Sequence, residues 1–157
     1  MKIPSTFQLS LTIKEHTNGQ CIVFKNDGQR FDSGSDKTVK FRSDYVYSVE
    51  LWTKPSLEIT NVSITGPDIT LDKSPDDNTK YCGVWKTDGI EPQGTGQREK
   101  LSVKITGVFG CCTVPIQAKF YKPGNSKATL GTEVKCITWK CIIKNDGTII
   151  VTDDNYL

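Results

Sequence analysis

From residue 7 to 13 the chain reads Phe-Gln-Leu-Ser-Leu-Thr-Ile, apolar at every second position, and the same period recurs at 39–42, 49–53, 57–60, 69–72, 101–105 and 116–120. Successive side chains of an extended strand point to opposite faces, so this period gives strands with one buried and one wet face. No segment longer than one or two turns carries the 3.6-residue period of a helix. A short helix is expected at most near Glu99 or in the loops 74–80 and 92–98.

Turn markers punctuate these segments: Asn26-Asp27-Gly28, Gly66-Pro67-Asp68, Thr87-Asp88-Gly89, Lys122-Pro123-Gly124 and Asn145-Asp146-Gly147. Each supplies a residue able to take positive φ, or a proline with φ already set. The last separates TWKCIIK from TIIVT, the sequence form of a hairpin. The first, inside VFKNDGQRF, predicts another corner with Val23, Phe24 and Phe31 on the adjoining strands. About ten short strands at this spacing predict an all-β fold, a single-domain antiparallel β-sandwich or flattened barrel over residues 1–157.

The 157 residues, 36% hydrophobic and 24% charged, suit one domain with a continuous core and exclude a disordered chain. No apolar run is long enough to span a membrane, and the N-terminus lacks the apolar stretch and cleavage site of a secretory signal. A soluble, cytoplasmic protein is expected. In that compartment the six cysteines, Cys21, Cys82, Cys111, Cys112, Cys136 and Cys141, are expected as free thiols.

Catalytic chemistry has little to work with. His16, the one histidine, stands in a loop sequence, where a solvated side chain is expected. Cys136 and Cys141, five apart in a predicted strand, fall on opposite faces, and no Cys-x-x-Cys or Cys/His cluster suggests a metal. Cys111 and Cys112 also alternate faces, one in the core and one exposed, with no base to make a thiol enzyme. The Gly-x-Gly of QGTGQ lacks the strand, helix and Lys-Ser/Thr of a phosphate loop. The Asn61-Val62-Ser63 acceptor motif has no meaning in the cytosol, and the ending TDDNYL reads as a flexible tail. A non-enzyme with neither cofactor nor metal is expected.

Net charge is +2, yet residues 80–144 carry eleven Lys/Arg against four Asp/Glu, while residues 1–79 carry nine against eleven. Such an excess can form one basic face. The candidate rim charges are Arg30, Arg98, Lys100, Lys104, Lys119 and Lys122. Large side chains between two sheets can also leave an apolar cavity. Its candidate walls are Val49, Leu51, Trp85, Val103, Ile105, Phe120 and Trp139.

The pieces FKNDGQRF, KTVKF, YSVELWTKPSLEITNVSITG, YCGVWKTDGIEPQGTGQRE and QAKFY, in that order over residues 23–140, resemble the cannabinoid receptor-interacting protein 1 family. The resemblance implies a small cytosolic adaptor, similar in architecture to the Rho GDP-dissociation inhibitors. It implies a partner that is a receptor C-terminal tail or another acidic or amphipathic peptide. A lipidated protein, its prenyl or acyl chain held between the sheets, is the alternative. No nucleic acid is expected; association with the inner membrane face would be peripheral. DGQRF carries part of the resemblance, so Arg30 either fixes the hairpin or faces the partner.

Overall fold

The computed structural model describes residues 3–26, 37–94 and 96–157. Its strands form two sheets. The first contains β1 (Thr6–Glu15), β4 (Val46–Lys54), β7 (Asp72–Lys73), β8 (Tyr81–Lys86), β12 (Ile137–Ile143) and β13 (Ile149–Tyr156), in the order β13-β12-β1-β4-β8-β7. The second contains β2 (Ile22–Asn26), β3 (Lys37–Arg42), β5 (Ile59–Ile64), β6 (Asp68–Ile69), β9 (Glu99–Gly107), β10 (Gly110–Tyr121) and β11 (Thr132–Val134), in the order β11-β2-β3-β10-β9-β5-β6. The fold is a β-sandwich and not a closed barrel.

The alternation puts one set of side chains from each sheet into a shared core. Leu101, Val103 and Ile105 of β9 and Val114, Ile116 and Phe120 of β10 meet Leu9 and Leu11 of β1 and Val49 and Leu51 of β4, none more than 1% exposed. Burying each such side chain contributes roughly 1.5–3 kcal/mol. At one end the core is aromatic. The Phe41 ring lies 5.4 Å from Tyr47, 5.2 Å from Trp85 and 5.6 Å from Phe120, edge-on to the first two and stacked on the third. These are the separations at which ring quadrupoles attract.

The hairpin expected around Asn145-Asp146-Gly147 is present. β12 pairs antiparallel with β13, and Gly147 takes φ 88° at the turn, where any side chain would be strained. In the Asn26-Asp27-Gly28 corner, Asp27, Gly28, Arg30 and Phe31 lie outside the described residues; Asn26 pairs with Lys37 across β2 and β3.

Two features depart from the sequence expectation, and the short helix allowed near Glu99 or in the loops 74–80 and 92–98 does not form among the described residues. One pairing is parallel: β3 runs alongside β10, with Lys40 opposite Lys119. Residues 69–72, read as one strand, are split between β6 in one sheet and β7 in the other, because the chain changes sheets at Thr70 and Leu71. No helix forms near Glu99, which opens β9 because the period-2 burial of Leu101, Val103 and Ile105 decides the conformation there. The described residues of 74–80 and 92–98 are likewise without helix. One helical turn, a 3₁₀ helix at Ser126–Thr129, follows the Lys122-Pro123-Gly124 turn instead, its N-terminus capped by the Asn125 side chain accepting from the Lys127 N–H at 2.9 Å.

Candidate functional site

The outer face of the seven-stranded sheet is where strand register gathers cations. On β3 the outward positions are Thr38, Lys40 and Arg42, because Val39 and Phe41 are fully buried. The parallel register sets Lys40 beside Lys119 and Arg42 beside Tyr121 on β10. On the other side of β10, Lys100 of β9 stands opposite Gln117 and Lys104 opposite Thr113. Lys25 of β2 stands opposite Thr38. Four strands distant in sequence thus present lysines to one surface.

Hydrogen bonds fix the middle of this surface. The Thr38 hydroxyl oxygen accepts from Gln117 Nε2 at 2.7 Å and from Arg98 Nε at 3.1 Å, which draws the Arg98 guanidinium over β10 toward β3. Lys40 Nζ donates to the carbonyl oxygens of Lys127 and Leu130, at 3.1 and 2.6 Å, and so ties the 3₁₀ turn to the sheet. Lys40 Nζ and Lys119 Nζ lie 5.5 and 5.4 Å from the centre of the Tyr121 ring, within cation–π range. Burial lowers the Lys40 pKa, and the ammonium groups of Lys25, Lys119 and Lys127 lower it further. That set of neighbours marks a local concentration of positive charge that an anionic group would relieve.

Of the six cations picked from the sequence, Arg98, Lys100, Lys104 and Lys119 come together on this face. Lys122 is exposed in the turn after β10, beside the same face, and Arg30 lies outside the described residues. The sequence reading missed Lys25, Lys40 and Lys127. Lys25 and Lys40 sit in the half of the chain with more acids than bases, and only the parallel β3–β10 pairing brings that half alongside β10.

Val49, Leu51, Trp85, Val103, Ile105, Phe120 and Trp139 all face the shared core and are at most 5% exposed. Trp85 and Phe120 belong to the aromatic cluster around Phe41. Trp85 also borders a cavity of about 510 Å³ at the edge of the sandwich, with Ile64, Ile69 and Ile90.

The remaining reactive groups are scattered. His16, exposed in the turn after β1, has Nδ1 2.7 Å from Ser48 Oγ. Cys111 is exposed and Cys112 buried, as the alternation predicts, whereas Cys136 precedes β12 instead of lying within it. A hydrogen bond to Cys112, together with burial, pushes the Cys141 thiol up, away from the thiolate a nucleophile needs. Among the described residues no three His, Cys, Asp or Glu side chains gather as metal ligands, and no helix is long and apolar enough to cross a membrane.

A family model described as CB1 cannabinoid receptor-interacting protein 1 matches residues 3–156. No curated protein matches the chain.

Proposed function

Because the chain belongs to the CB1 cannabinoid receptor-interacting protein 1 family, we propose that it is a non-enzymatic cytoplasmic adaptor that captures an acidic protein tail, in the first instance a receptor's intracellular C-terminal segment. The capturing surface is the outer face of the seven-stranded sheet, with Lys25, Lys100, Lys104 and Lys119 supplying charge, Lys40 tying the 3₁₀ turn beside them, and Tyr121 a ring against which the tail packs. Arg98 and Lys122 stand at its rim.

The observation that carries this reading is the strand register that sets Lys25, Lys40, Lys100, Lys104 and Lys119 on one face of the sheet. Charge complementarity of this kind steers association and makes it sensitive to salt. Contacts on an exposed rim are individually weak, so affinity would come from several acting together.

The carrier alternative, with a prenyl or acyl chain between the sheets, would gain about 0.8 kcal/mol per buried methylene. A chain entering at the aromatic end would have to part the Phe41, Tyr47, Trp85 and Phe120 rings, which pack on one another there. The tail reading needs no such opening.

The test is amide mapping with a synthetic peptide of the CB1 receptor's cytoplasmic C-terminus titrated into isotope-labelled protein. Shifts centred on residues 38–42, 98–104 and 117–121 are expected. Shifts centred on the core rings, or none, would remove this assignment.

A further inference from the structure

β8 leaves most of one edge open. It pairs with β4 along its whole length, from Tyr81 opposite Leu51 to Lys86 opposite Val46, but β7 covers its other side only at Tyr81 and Cys82. Among the described residues, 83–86 therefore have a strand neighbour on one side alone. Backbone groups along an antiparallel strand point alternately to its two neighbours. The Thr87 N–H donates to the Tyr45 carbonyl at 2.9 Å, which sets the phase. Trp85 and Gly83 turn their backbone groups toward β4, and Val84 and Lys86 turn theirs to the open edge.

The gap has a structural cause. Where the chain changes sheets it presses on β8 so closely that a Cβ on Gly83 would lie 2.6 Å from Ile69 Cγ2 and 2.7 Å from the Thr70 carbonyl oxygen. Past that crossing no further residue of β7 accompanies β8. There the 510 Å³ cavity opens between the sheets, with Trp85, Ile64, Ile69 and Ile90 in its wall. Val84 is 41% exposed at its mouth, an apolar residue on an edge where sheets ordinarily place charge. A second hollow of about 400 Å³ shares Asp72, Gly83 and Val84 with it.

The charge around this edge has the opposite sign to that of the basic face. The cavity wall holds Asp68, Asp72 and Asp88 against Lys86, and the second hollow adds Glu50 against Lys14 and His16. An apolar slot, a row of unpaired backbone groups and a surplus of carboxylates together specify an occupant.

We infer that the open edge of β8 is a strand-addition site for an extended peptide of a partner protein that alternates aliphatic with Lys or Arg side chains. Its backbone pairs with Val84 and Lys86. One aliphatic side chain enters the cavity against Trp85, and its cationic side chains reach Asp72, Asp88 and Glu50. A second copy of this chain fits poorly, because a β8–β8 pair would bring the aspartates of the two molecules together. The chain's own last strand is already engaged, β13 with β12 and Leu157 with the backbone of Lys135 and Cys136. The site differs in chemistry and in sheet from the face assigned to the acidic tail.

The probe is an N-acetylated, C-amidated octapeptide of alternating valine and lysine, titrated to ~1 mM into isotope-labelled protein. Saturable amide shifts at 83–86 and at Asp72 are expected, with slowed hydrogen exchange at the Val84 and Lys86 amides. Replacing the peptide's lysines by glutamate, or making the Asp72→Lys/Asp88→Lys variant, weakens binding about tenfold; N-methylation of alternate peptide amides abolishes it. The assignment is overturned by absence of saturable shifts at 83–86, or by equal affinity for the glutamate peptide. It is also overturned by protection of Val84 and Lys86 that rises with protein concentration alone, which would make the occupant a second copy.

Discussion

The Arg42 guanidinium lies 3.6 Å, Nε to Oε2, from the carboxylate of Glu15, and both side chains are largely withdrawn from water. Glu15 Oε1 accepts from the Tyr45 hydroxyl at 3.0 Å and from Asn18 Nδ2 at 3.1 Å. Arg42 Nη1 donates to the Asn125 carbonyl at 3.2 Å and to that of Pro123. Arg42 thus joins β1 of one sheet to the turn that follows β10 in the other. It is a brace for the basic face more than a member of it.

Removing one partner of such a pair strands the other's charge in a poorly hydrated place. Arg42→Ala is therefore expected to cost about 3 kcal/mol in chemical denaturation. The double variant Arg42→Ala/Glu15→Gln recovers part of that loss.

Phe41 sits at the centre of the aromatic cluster and is fully buried. Phe41→Ala deletes the ring that three others pack on, and a loss of about 4 kcal/mol is expected from the unfolding midpoint. A value below about 1 kcal/mol would mean that the space between the sheets readily collapses.

Gly83→Ala places a methyl group against Ile69 and the Thr70 carbonyl. Backbone cannot yield as a flexible side chain can, so destabilisation of about 2 kcal/mol is expected. The β6–β7 crossing should show faster amide exchange in the same variant.

Tyr156 gives a pH dependence. Burial, with Asp154 nearby, pushes its phenol up to about 12 from an ordinary value of 10.0. Between those values the unfolded chain has lost the proton and the folded one has kept it. Tyr156 therefore contributes stability that is fully present below pH 10 and is lost as pH rises through the folded value, with a slope of about 1 kcal/mol per pH unit. Tyr156→Phe should flatten alkaline unfolding over that window while leaving neutral stability nearly unchanged.

The strands β1, β4, β9, β10 and β12 are legible because each buries one face, and alternation reports one-faced burial directly. Neighbours in the sheet are another matter. The parallel pairing of β3 with β10 depends on residues far apart in the chain, and nothing local in KTVKF or QAKFY announces it. The basic face was therefore half legible. Lys100, Lys104 and Lys119 stood out in a lysine-rich half, while Lys40 was hidden among the acids of the other half. Residues 69–72 misled for a different reason: their alternation is real, but the two ends serve different sheets.

The central claim is that the lysines on the outer face of the seven-stranded sheet capture an acidic tail. Its most direct test is calorimetric titration of the receptor-tail peptide into native protein and into Lys104→Glu/Lys119→Glu, each at low and at physiological salt. Native affinity should fall as salt rises, and the double reversal should weaken binding at least about tenfold and lose most of the salt dependence. Equal affinity and equal salt dependence in the two proteins would contradict it.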